Sequence, residues 1–309
     1  MLQWDSNEGG EEKVKSMSVE GLEQDDPKLI TYIRQRLVPP SIQPYKLKNP
    51  GKQDYSQYRQ HKFLNNIIHD MKQGFFVEVG AVDGEYLSNT LSLERQQGWT
   101  GLLIEANPNS YSKLLTKNRK AFNINAALSV TKHATKMIFK TAGPFGVRGH
   151  IGQEGEGTDI GLKVDALPLH SILQALNVTV IDFFSLDIEG YELKVLKTLS
   201  WDRIKIRVLC VETNYLPEGQ KAVISYMQSL GYQHLGKHKI DNWFGWPELL
   251  KETRKENVIR DLATPHNSST FGNIAAGSQT MRPLKRVPAT TDENTLRSLV
   301  PYSVVLDLA

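Results

Sequence analysis

The chain has 309 residues, enough for one large domain with tails or for two small ones. With 39% hydrophobic residues it can build a sizeable core, and 37 basic against 34 acidic residues leave no charge excess that points to a nucleic-acid partner. The single cysteine, Cys210, rules out an intrachain disulfide. Its setting, Ile206-Arg207-Val208-Leu209-Cys210-Val211, makes it a small buried hydrophobe. No run approaches the roughly 18 apolar residues of a membrane span, and the N-terminus lacks the apolar core of a signal peptide. The sequence as written therefore predicts no transmembrane segment and a cytoplasmic chain.

In chain order, residues 1–24 are polar and read as disordered. Residues 25–73 form a helical extension. Asp25-Asp26-Pro27 starts a first helix, Leu29, Ile30, Ile33 and Leu37 follow at helical spacing, and Pro39-Pro40 ends it. Residues 41–54 are a connector. Phe63, Leu64, Ile67, Ile68 and Met71 mark a second helix within 58–71.

Over 74–246 apolar strands alternate with helices. Strands are predicted at 75–79, 101–104, 121–124, 180–186 and 206–211, and helices at 88–97, 109–119, 167–176, 192–199 and 220–230. Such alternation predicts an α/β fold with a doubly wound, mostly parallel sheet. Residues 141–161 hold seven glycines and break the rhythm, so they read as a long loop or lid beside the site. Residues 247–309 form a largely disordered tail with one charged helical stretch near 248–260. There is no internal repeat.

Three motifs carry chemistry. In Phe75-Phe76-Val77-Glu78-Val79-Gly80-Ala81-Val82-Asp83-Gly84, a strand runs into an acid and two glycines. The G-x-G-x-x-G spacing that seats a pyrophosphate is absent. A tight turn for the amino-acid end of a ligand remains, with Glu78 for its ammonium and Gly80 and Gly84 for the turn. In Leu102-Leu103-Ile104-Glu105-Ala106-Asn107-Pro108 an acid ends the next strand, 25 residues after Gly80. A carboxylate there accepts both hydroxyls of a ribose. In Phe184-Ser185-Leu186-Asp187-Ile188-Glu189-Gly190-Tyr191-Glu192, Asp187 and Glu189 follow a third apolar strand. They can position a nucleophile or take its proton, whereas Glu192 suits a helix start. Glu78, Glu105 and Asp187 are expected to converge at one edge of the sheet.

Together these motifs resemble the FkbM family of S-adenosylmethionine-dependent methyltransferases. The resemblance runs over about 75–235. Besides the three motifs it includes Ser88-Asn89-Thr90, Gly98-Trp99-Thr100-Gly101, Asn125-Ala126-Ala127-Leu128-Ser129 and Val211-Glu212. It implies a class I, Rossmann-like methyltransferase fold with S-adenosylmethionine as cofactor. Cofactor contacts would come from Glu78, Gly80, Asn89 and Glu105, with Asp187 and Glu189 facing the substrate. One position departs from the family: Ser185 stands where a lysine is common.

Further residues are similar to the animal Star-like subgroup: Asp26-Pro27, Pro39-Pro40-Ser41, Leu93-Glu94-Arg95, Asn118-Arg119 and Asp241-Asn242-Trp243-Phe244. That resemblance implies a protein acting in trafficking of growth-factor precursors, with protein cargo as partner. A longer, membrane-anchored form would then sit at the endoplasmic reticulum, Golgi or endosomes.

The enzyme expectation is methyl transfer to a hydroxyl acceptor, with Asp187 and Glu189 catalytic. The cofactor side comprises Glu78, Gly80, Gly84, Asn89 and Glu105, and no metal is involved. His234 and His238, four residues apart, are discounted as metal ligands because no third ligand is evident. Trp243, Phe244 and Trp246 read as residues that close the core.

Overall fold

A computed structural model describes residues 18–69, 71–142, 148–152 and 162–252. The expected disorder of 1–17 and of 264–291 concerns segments outside these described residues.

Among the described residues two short helices come first, α1 (Pro27–Arg34) and α2 (Gln60–Ile68). Pro27 opens α1 and the Asp26 carboxylate caps it, accepting from the Lys28 N–H. Ordered structure begins ahead of the expected extension. Val19 is buried, and the N–H groups of Gly21 and Gln24 donate to the carbonyls of Ala134 and Lys132. The polar composition of 18–24 concealed this, because one apolar anchor and backbone bonds suffice.

The connector at 41–54 is tied down as well. Glu85 accepts from the Lys48 and Asn49 N–H groups, and Arg95 donates to the carbonyls of Pro50 and Lys52 and to the Tyr55 hydroxyl.

The main domain alternates β1 (Phe75–Val79), α3 (Leu91–Gln97), β2 (Thr100–Glu105), α4 (Pro108–Leu115) and β3 (Phe122–Asn125). After an insertion it resumes with α5 (Leu169–Ala175), β8 (Val180–Leu186), α6 (Glu192–Thr198), β9 (Lys205–Glu212) and α7 (Gln220–Ser229). A hairpin of β10 (Gln233–His238) and β11 (Asp241–Gly245) ends it. The seven strands form one sheet in the order β10-β11-β9-β8-β1-β2-β3. Five of them run parallel, and β11 enters antiparallel beside β9. This is the doubly wound α/β arrangement expected, with the hairpin as an addition.

Alternate strand residues enter opposite cores. Val77, Val79, Ile104, Phe184 and Leu186 pack with apolar residues of α1, α5, α6 and α7. Phe76, Leu103, Phe183, Val208 and Cys210 pack with Leu64, Ile68 and Leu93. Trp243 closes this second core, while Phe244 faces the first.

The insertion corrects part of the loop expected over 141–161, since 141–142 and 148–152 are strand. A second sheet, in the order β4-β7-β5-β6, is built from β4 (Ala127–Leu128), β5 (Thr135–Ala142), β6 (Arg148–Gly152) and β7 (Leu162–Leu167). The glycines suggested a loop, yet Gly149 and Gly152 lie in β6, an edge strand paired on one side only. Glycine weakens such an edge without abolishing it. Residues 143–147 and 153–161 lie outside the described residues. The charged stretch near 248–260 is helical over 247–252, where the description ends.

Candidate active site

Sheet order reverses at β1, which lies between β2 and β8. Ligand crevices of open α/β sheets form outside the carboxyl ends of strands at such a point. Glu78, Glu105 and Asp187 all belong to the carboxyl ends of these three strands, so the expected convergence is met. Their closeness is also electrostatic, since the charge of Asp187 raises the pKa of Glu105.

Gly80 makes the close approach possible. It has φ +82°, and a Cβ there would lie 2.4 Å from the Asp187 carbonyl oxygen. Gly84, at φ +75°, serves the other side of the turn, where a side chain would meet Leu114. Val82 and Glu189 also adopt left-handed backbone, at +51° and +56°. Strained non-glycine residues of this kind gather at functional sites.

Glu105 is nearly buried, and one carboxylate oxygen accepts from the Val82 N–H at 2.7 Å. The other accepts from the Asn107 N–H, also at 2.7 Å. Two backbone donors thus fix the carboxylate plane and leave lone pairs for further hydroxyls. Burial pushes this carboxyl up to about 7, against the two hydrogen bonds that pull it down.

Glu78 lies near the end of β1 and is engaged within the chain. Expected as the acid for a ligand's ammonium, it has a buried carboxylate that accepts three donors of its own chain. These are the Ser88 hydroxyl at 2.9 Å, the Asn89 N–H at 2.6 Å and the Thr90 hydroxyl at 2.6 Å. Burial raises its pKa, while the nearby Arg119 charge and these bonds oppose the rise. Glu78 therefore holds the 88–90 loop in place. Asn89 in turn donates its side-chain amide to the Ser185 hydroxyl at 2.9 Å, and its Oδ1 is buried with no hydrogen-bond partner.

On the far side, Asp187 remains open to solvent but is crowded by carboxyls. It hydrogen bonds Glu212, and desolvation, then the Glu189 charge, push its pKa up. Glu212 is pushed up by burial and by Asp187. Two carboxyls in contact cannot both ionise, so the pair shares a proton. Glu192 has the structural role expected, accepting from the Ile188 and Gly190 N–H groups. Oxygens of Asp187, Glu192 and Glu212 lie within 4.8 Å of one another, a spacing that also suits a hard cation.

Glu212 is the residue that sequence reasoning missed. The signal was available: like Glu78, Glu105 and Asp187, it is an acid at the end of an apolar strand. His234 and His238 both lie on β10, where they meet Asn242 Oδ1 and the Tyr58 carbonyl.

These features, an acid at the end of β2, a glycine turn after β1 and acids after β8, fall within a region that a family model recognises. The model for the Methyltransferase FkbM domain matches residues 78–234, half of the chain. The chain belongs to the FkbM methyltransferase domain family. The Star-like subgroup is a finer assignment that this match does not make.

The solved structures that match are remote in sequence. A methyltransferase FkbM from Methylobacillus flagellatus KT is 13% identical, with 70% of this chain and 58% of that chain covered and a TM-score of 0.36. A SAM-dependent methyltransferase from Aquifex aeolicus is 12% identical, with coverages of 70% and 96% and a TM-score of 0.32. TrmK of M. capricolum, solved with S-adenosylhomocysteine, is 12% identical, with coverages of 67% and 88% and a TM-score of 0.33. The chain thus spans little more than half the length of the first of these. No curated protein matches the chain. Among the described residues, no helix is long and apolar enough to cross a membrane.

Proposed function

We propose that this FkbM-family chain is an S-adenosylmethionine-dependent methyltransferase acting on a hydroxyl oxygen. The observation that carries the reading is the meeting of Glu105 and Asp187 across Gly80 at the switch point of the sheet. The residues present fit the cofactor: Glu105 keeps acceptor capacity for a ribose, Gly80 opens the backbone, and Asn89 Oδ1 is a buried acceptor without a partner. When bound, S-adenosylmethionine supplies an electrophilic methyl group, and S-adenosylhomocysteine is left.

The chain supplies orientation and electrostatics. Glu105 receives the ribose hydroxyls. Gly80, Gly84 and Glu78 shape the turn and the 88–90 loop around the amino-acid end. Asp187, steadied by Glu212, would accept the proton of the acceptor hydroxyl, and Glu189 would help orient that hydroxyl. The acceptor itself is a small or large molecule carrying a free hydroxyl.

Glu105→Ala is the direct test of the cofactor side. Removing hydrogen bonds to a charged group costs about 1.5–3 kcal/mol, or about one to two orders of magnitude in affinity. Calorimetric titration with S-adenosylhomocysteine should show that loss with the fold retained. Unchanged affinity would remove Glu105 from the site.

One residue favours a second reading. Ser185, in place of a lysine, suits a Star-like protein that keeps the fold without catalysis and handles protein cargo in trafficking. On that reading Asp187→Asn leaves cargo binding intact, and there is no turnover to lose.

A further inference from the structure

We propose that Ser185 is a positioning residue: it fixes the Asn89 side-chain amide so that Asn89 Oδ1 receives the ammonium group of the cofactor's amino-acid end. The inference rests on the cofactor reading above and adds to it a residue and an atom.

An asparagine amide has a donor end and an acceptor end. Here the donor end is spoken for, since Asn89 Nδ2 donates to Ser185 Oγ at 2.9 Å. The Asn89 backbone N–H is held by Glu78 Oε1 at 2.6 Å, so the residue is fixed from both sides. What remains is Oδ1, a buried acceptor that no described protein group satisfies. Buried acceptors are rarely left without a donor, and a ligand donor resolves this one.

The place fits an ammonium. Asn89 bridges Glu78 on β1 and Ser185 on β8, which pair in register and flank the switch point. Glu78 itself already serves three donors of the chain. The carboxyls that act on Asp187, two residues beyond Ser185, are Glu189, Glu192, Glu212 and Asp241, which makes the neighbourhood favourable to a cation. Ser185 is buried, and its small hydroxyl adds no positive charge beside an ammonium.

The test compares two probes on the full chain by calorimetry: S-adenosylhomocysteine, and 5′-methylthioadenosine, which keeps the adenosine and thioether but lacks the amino-acid end. Asn89→Ala should weaken S-adenosylhomocysteine about tenfold or more, as expected for a lost hydrogen bond to a charged group, and leave methylthioadenosine unchanged. Ser185→Ala should weaken S-adenosylhomocysteine alone, by about threefold to tenfold, because a freed amide can turn. Ser185→Thr, which keeps the hydroxyl, should restore wild-type affinity. Equal loss of both probes in Asn89→Ala, or unchanged S-adenosylhomocysteine affinity in Ser185→Ala, would overturn the proposal. Ser185→Ala removes one hydroxyl and carries the comparison if Asn89→Ala does not fold. Wild-type chain that binds neither probe would instead overturn the cofactor reading beneath it.

Discussion

Asp187→Asn is expected to lower methyl transfer by a factor on the order of hundreds, the cost of a lost general base. The substitution keeps the shape of the side chain and some of its hydrogen bonding, and removes the charge. Cofactor affinity should change little, because the ribose contact proposed above is Glu105 rather than Asp187. The pH profile carries a second signature. The wild-type pair Asp187–Glu212 retains a proton, because desolvation and the neighbouring carboxyls raise both groups above the ordinary carboxylate range. A base works only after ionisation, so turnover should rise with pH as Asp187 ionises, at a pH above its ordinary pKa of 3.8. In Asp187→Asn that limb should vanish. Single-turnover rates across pH check both points, and a limb that survives the substitution would assign the base elsewhere.

Arg119→Met is expected to cost about 3–5 kcal/mol of folding free energy, the range for breaking a buried ion pair on one side. The Arg119 and Glu94 side chains are 1% and 0% exposed, with Nε 2.9 Å from the Glu94 carboxylate. Arg119 also donates to the Gly84 carbonyl and, at 3.0 Å, to the Thr90 hydroxyl. It therefore ties the glycine turn and the 88–90 loop to α3. Its loss leaves the Glu94 carboxylate buried without its cation and frees the Gly84 carbonyl. Urea denaturation measures the change. Glu94→Gln combined with Arg119→Met should cost less than the sum of the two single losses, as for groups in direct contact. A single-variant loss below about 1 kcal/mol would show that the pair is not a structural tie.

Much of the fold was legible because parallel strands buried on both faces read as short apolar runs. All five predicted strands exist, within one or two residues of their expected ends, since Phe75–Val79 and Val180–Leu186 are bounded by polar residues and turns. The second sheet was not legible. Its strands draw their partners from distant segments, as when Thr135 pairs with Ala166, and their glycines imitate a loop. His234 and His238, discounted as metal ligands, lie on strand β10.

The site was legible as a set of acids at strand ends, since that pattern depends on local sequence alone. Roles were less legible. Whether an acid is open or already satisfied depends on who donates to it. Glu78 receives Ser88, Asn89 and Thr90 because the chain turns back over β1. Glu212 gains importance only by meeting Asp187 across adjacent strands. Ser185 read as a lost charge, and the fold shows that its hydroxyl is in use. Asp26 is a helix cap, and Glu94 and Arg119 form a buried tie.

The most direct test of the account is calorimetric titration of the full, unaltered chain with S-adenosylhomocysteine, which probes the pocket without knowledge of the acceptor. Saturable binding at one site per chain is expected, with a dissociation constant below about 1 mM, that is, more than about 4 kcal/mol of binding free energy. Absence of binding at about millimolar ligand would contradict it, and the crevice at the ends of β1, β2 and β8 would then not be a cofactor site.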